Sequence, residues 1–181
     1  PLDPLRQTRR RMDSAIWPVE LQEPASFTAG GRINNWDHDP EFLEGDFYDL
    51  KDIHLGSGTV DDFTPSPALL ALCQVYKFWM AYADVDGFRL DTVKHMHPGA
   101  TRYFSSTIHE FAQKIGKENF FLMGEITGGR ERAFTTLEIT GLDAGAKRVE
   151  WAAGTASNPA NGLSAYCLPF MLSGPGAGTN T

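Results

Sequence analysis

The sequence predicts an α/β fold, because two short apolar strands flank one helical pattern and each strand ends in a carboxylate. The first strand lies within Asp86-Gly-Phe-Arg-Leu-Asp-Thr-Val-Lys-His95, and the second is Phe120-Phe-Leu-Met-Gly-Glu125. Between them Phe104, Ile108, Phe111 and Ile115 recur at helical spacing. His109, Glu110 and Lys114 fall elsewhere on that helix, and Gly116 stands where a C-terminal cap belongs.

Strand side chains alternate, so Gly87, Arg89 and Asp91 share one face while Phe88 and Leu90 point to the other, toward packing partners. A strand, a helix and a second strand in this order form a βαβ unit. Its right-handed crossover places the two strands side by side and parallel. Asp91 and Glu125 then leave the same end of one sheet, where carboxyl groups can approach to roughly 5 to 5.5 Å. That spacing suits a double-displacement glycosidase.

A second helical pattern begins at Pro67 with Ser66 as its N-cap. Leu69, Leu72, Cys73, Tyr76, Trp79, Met80 and Ala83 form its apolar stripe, and Trp79 is expected in the core. Three regions follow: an irregular segment over 1–62 rich in Pro, Gly and charge, the βα units over 63–143, and a tail over 144–181. The tail is rich in small and polar residues with little period of either kind. It is expected to be divergent, disordered or out of frame, without a recognisable sixth strand.

Gly-Phe-Arg-Leu-Asp-Thr-Val-Lys-His at 87–95 resembles the fourth-strand signature of the α-amylase family of glycoside hydrolases. Met-Gly-Glu at 123–125 is similar to the family's fifth-strand signature, and Gly45-Asp-Phe-Tyr-Asp-Leu-Lys-Asp52 to the insertion after the third strand. The resemblance covers about residues 33–143. It implies part of a (β/α)8 TIM barrel around strands 4 and 5, preceded by an irregular, insertion-like segment.

The same resemblance implies that Asp91 is the nucleophile and Glu125 the general acid/base, acting on α-linked glucans such as starch and maltooligosaccharides. Arg89, two residues from Asp91 on the same face, supplies a fixed cation that keeps that carboxylate ionised. Glu125 follows an apolar run and neighbours an anion, and both raise its pKa. Lys94 and His95 resemble the pair that contacts the sugar on the leaving-group side. The main-chain carbonyl of His95 is implied as a calcium ligand, which makes calcium the one cofactor in question.

Each assignment has an ordinary competitor. Asp91 can cap the following turn, and Glu125 can be a polar residue at a strand exit. His95 and His97 form a His-x-His that lacks an evident third metal ligand. Asp37, His38, Asp39, Asp46, Asp49, Asp52 and His54 either offer oxygens to calcium or form a solvated acidic loop without EF-hand spacing.

A complete barrel takes roughly 250 residues, more than the 181 present. No Asp-x-x-x-x-Asn-His precedes Asp91 and no Asn-His-Asp follows Glu125, so a third carboxylate has no candidate. A piece cut at both ends is the expectation. Net charge of −7 opposes nucleic-acid binding despite the Arg6, Arg9, Arg10, Arg11 run. Gly56-Ser-Gly58 lacks the third glycine of a dinucleotide loop, and no P-loop is present. No signal-peptide h-region and no membrane-length apolar segment is seen, which leaves localisation open. Cys73 and Cys167 are too few for a disulfide scaffold. Two functional classes remain: part of a retaining α-glycosidase, inactive when isolated, or a non-catalytic amylase-like module that binds carbohydrate or protein.

Overall fold

Helix and strand signals translate directly into the architecture of the computed structural model, which describes residues 17–48, 50–127, 148–153 and 163–168. The early segment holds only short pieces: the single helical turn α1 (Glu41–Glu44), and β1 (Gly56–Gly58) paired antiparallel with β2 (Phe63–Pro65). Helix α2 (Pro67–Ala83) follows, its first turn closed by Ser66 Oγ, which accepts from the Leu69 amide at 3.1 Å. Pro67 occupies N1, where its missing N–H costs nothing.

Strand β3 (Gly87–Leu90), helix α3 (Pro98–Lys114) and strand β4 (Phe121–Thr127) form the expected parallel βαβ unit. Helix α3 opens on His97, whose Nδ1 accepts from the Gly99 amide at 3.1 Å. It closes on a Schellman motif, with Lys117 N–H donating to the Ala112 carbonyl and Gly116 N–H to that of Gln113. Gly116 takes φ +80° there, a conformation a Cβ disfavours. Gly87 is needed for a different reason: a Cβ on it would stand 2.6 Å from the Phe121 ring.

Both long helices cover one face of the strand pair. Leu69, Cys73 and Met80 of α2, Ala100, Phe104, Ile108 and Ala112 of α3, and Leu122 and Ile126 of β4 form a single buried cluster. Each fully buried aliphatic chain in it contributes about 1.5 to 3 kcal/mol of transfer free energy. The opposite face, carrying Arg89, Met123 and Glu125, is left for chemistry.

Two expectations are corrected. Trp79 is 46% exposed and lies outside the core, because α2 is apolar around much of its circumference and spacing alone did not choose its buried side. The tail contains β5 (Arg148–Ala153) and β6 (Leu163–Leu168), which pair antiparallel, so disorder does not describe these two segments. Strand β6 also runs antiparallel to β4, giving the order β3-β4-β6-β5 and a mixed sheet. The Arg6 to Arg11 run and Asp49 lie outside the described residues.

Candidate active site

Every pair in the β3–β4 register is offset by 34 positions, from Gly87 opposite Phe121 to Leu90 opposite Gly124. Asp91 and Glu125 keep that offset and stand level, one step beyond the last pair. Side chains at level positions of parallel strands project to the same face, so the crossover brings both carboxyl groups to one place.

Arg89 lies between them. Its Nη1 donates to Asp91 Oδ1 at 2.8 Å and its Nη2 to Glu125 Oε2 at 2.9 Å. A planar guanidinium suits such a two-armed bridge. The environments differ, since the Asp91 side chain is 65% exposed and that of Glu125 only 20%.

The two carboxyl groups also hydrogen-bond each other. That mutual bond is the largest cause of both shifts. It holds Asp91 below the usual carboxylate range, helped by the charge and hydrogen bond of Arg89 and by the Thr92 N–H, against partial burial. It raises Glu125, together with burial and the Asp91 charge, against the pull of Arg89. The two shifts run in opposite directions, so a proton shared by the pair favours Glu125 over Asp91. The two carboxyl groups thus form a closed, hydrogen-bonded pair.

Thr92 escaped the sequence reading. It adopts φ +53°, rare for a β-branched residue, and its amide reaches both carboxyl groups. Nothing in a Thr-Val pair signals that turn. The following 3-10 turn Val93–His95 has no side-chain cap, so Asp91 does not serve as one. A cavity of about 350 Å³ opens beside Asp91, walled by Leu72, Tyr76, Phe88 and Phe104 with Arg89 and Thr92 also on its lining, and Glu125 is not among its lining residues.

Lys94 and His95 have their recorded side-chain contacts with the early segment. Lys94 Nζ meets Asp37 Oδ1 at 2.6 Å, and His95 Nδ1 meets the Phe42 carbonyl at 2.7 Å. His97 is committed to capping α3 and stacks on Phe63 at 5.4 Å, which ends the His-x-His reading.

Among the described residues no group of three His, Cys, Asp or Glu could hold a metal ion. Asp46, 2% exposed, is bound by Lys51 and the Gly31 amide, and its carboxyl is lowered first by the Lys51 hydrogen bond. Asp52 is raised by burial and by the Asp46 charge. Cys73 is buried and its thiol is pushed up to about 11, an inert core residue. No described helix is long and apolar enough to cross a membrane.

No family model matches the chain. The chain is similar to a cyclomaltodextrin glucanotransferase of Klebsiella oxytoca, 26% identical over 113 residues, covering 62% of this chain and 16% of that protein. An alpha-amylase of Streptomyces lividans is 30% identical over 131 residues, covering 64% of this chain and 13% of that protein. The chain therefore spans well under a quarter of these relatives' length. Among solved structures, the alpha-amylase of Geobacillus thermoleovorans complexed with acarbose superposes with a TM-score of 0.51 at 24% identity, covering 66% of this chain and 25% of that one. This last likeness supports the α/β fold. With the residues at 87–95 and 123–125 in place, these likenesses make the chain similar to members of the α-amylase family of glycoside hydrolases.

Proposed function

We propose that the chain carries the reacting pair of a retaining glycoside hydrolase acting on α-glucosidic bonds of starch, maltooligosaccharides or related α-glucans. The observation that carries this reading is the Arg89 bridge between Asp91 and Glu125 at the level ends of two parallel strands. In this reading β3, α3 and β4 are neighbouring parts of a (β/α)8 barrel, within units spanning 63–143. Residues 1–62 correspond to the insertion after the third strand, and within them Asp37 and Phe42 meet the Val93–His95 turn.

The chemistry follows from the two environments. Glu125 donates its proton to the glycosidic oxygen as that bond breaks, and an Asp91 oxygen bonds to the anomeric carbon. Water, deprotonated by Glu125, then displaces Asp91 and returns the site to its starting state. Arg89 keeps the nucleophile ionised until it bonds to the anomeric carbon, and its pull toward ionisation of Glu125 is offset while Asp91 is charged. Opening the closed pair needs only a side-chain rotation, since both groups stand at strand ends.

The test is kinetic, in the polypeptide that carries this chain at its full encoded length, on maltooligosaccharide. Asp91→Asn and Glu125→Gln should each lower kcat by about three orders of magnitude or more. Parent-like rates would end the assignment in favour of a non-catalytic carbohydrate- or protein-binding module. The 181 residues alone, with β3 at a sheet edge, should turn over none.

A further inference from the structure

Lys94 and Asp37 are 57 positions apart in the chain and meet at 2.6 Å. The lysine side chain is 5% exposed and the aspartate side chain 64%, so this ion pair is sunk at one end and open to water at the other. Lys94 is the middle residue of the turn Val93–His95, which begins two residues after Asp91. Val93 before it is buried in the core. His95 after it is gripped by the Phe42 carbonyl and by the rings of Trp36 and Phe47, whose centroids lie 5.6 and 4.7 Å away. The loop over 36–47 therefore holds two consecutive residues of the turn. The turn is tied back to the site by the His95 N–H, which donates to the Thr92 carbonyl at 2.8 Å.

The geometry points to Lys94 as a positioning residue: its ammonium, paired with Asp37, clasps the 36–47 loop to the Val93–His95 turn and so fixes Asp91 against Glu125. One 3-10 turn has too few internal hydrogen bonds to hold its own place, and external anchors must do so. The part of this inference that concerns turnover rests on the glycosidase reading; the clasp itself does not.

Removing the two partners should have unequal consequences. Without Asp37 a buried ammonium loses its compensating charge, whereas without Lys94 an exposed carboxylate is simply hydrated. Thermal unfolding of the chain should thus place Asp37→Asn lowest, with Lys94→Met and the double variant close together above it and nearer the parent. A midpoint for Asp37→Asn equal to the parent's overturns the clasp. In the full-length polypeptide on maltooligosaccharide, both single variants should lower kcat by about tenfold with KM held within about threefold. A sugar-contacting lysine would instead raise KM about tenfold in Lys94→Met while Asp37→Asn stayed parent-like, and that pattern overturns the positioning role. If the parent itself turns over no α-glucan, the glycosidase reading fails and the order of unfolding midpoints still decides the clasp.

Discussion

Arg89 Nη2 lies 2.9 Å from Glu125 Oε2, a contact made across two strands rather than along one. The same guanidinium holds Asp91, so its removal should affect both carboxyl groups in the same direction. Arg89 lowers the pKa of Asp91 and opposes the rise of Glu125. In Arg89→Gln both should therefore titrate at higher pH. In the proposed mechanism Asp91 works ionised and Glu125 protonated, so the acid and alkaline limbs of kcat/KM should both move up, with kcat about a hundredfold lower. Limbs that stay in place while kcat falls would assign Arg89 a purely steric part.

Much of this site was legible before any coordinates. The 34-position interval between Asp91 and Glu125 is also the register offset of β3 and β4, because one helix of ordinary length fills the crossover. Ser66 and Gly116 announced the helix ends through capping chemistry that acts within a few residues. Contacts between distant segments left no such local trace. Nothing near Lys94 names Asp37, and a helix apolar on several sides let Trp79 be placed in a core it does not enter. The β5–β6 pair was overlooked although Arg148-Val149-Glu150-Trp151 alternates polar and apolar residues, because the Gly-rich and Ala-rich stretches around it dominate the composition.

Lys117 ties the two strand beginnings together at the end of the sheet away from the site. Its Nζ lies 2.6 Å from Asp84 Oδ1 and 2.9 Å from Asp86 Oδ1. Its pKa is raised first by the Asp84 hydrogen bond, and Asp84 is lowered by the same contact. A raised lysine stabilises below its ordinary value of about 10.4 and loses that contribution as pH climbs through the folded value. A lowered aspartate stabilises above about 3.9 and loses its share as pH falls through its folded value. Lys117→Met should therefore lower the melting temperature by roughly 1 to 3 °C at neutral pH. The difference should shrink at both extremes, and a gap constant from pH 2 to 12 would rule the ion pairs out.

Ile108 is 0% exposed at the centre of the cluster shared by α2, α3 and β4. Truncation there removes apolar contacts and leaves a void that a sheet on one side and a helix on the other can only partly close. Ile108→Ala should cost about 2 to 5 kcal/mol in denaturant unfolding. Leu70, on the same α2 and 44% exposed, offers the control: Leu70→Ala should cost within about 0.5 kcal/mol. Equal losses at the two positions would place the core elsewhere.

Ser66 closes the helix that leads into the strand bearing Arg89. Its Oγ accepts the Leu69 amide at 3.1 Å, and the Ser66 side is buried at 7% exposure, so water cannot readily take over the freed amide. Ser66→Ala should lower stability by about 1 to 2 kcal/mol, the upper part of the usual range for such caps. Ser66→Asp keeps an acceptor and adds a negative charge at the positive end of the helix, which favours it, but the charge must also lose part of its hydration there. The aspartate variant should therefore fall between alanine and the parent. An aspartate variant less stable than alanine would mean that hydration at this cap outweighs both the hydrogen bond and the helix dipole.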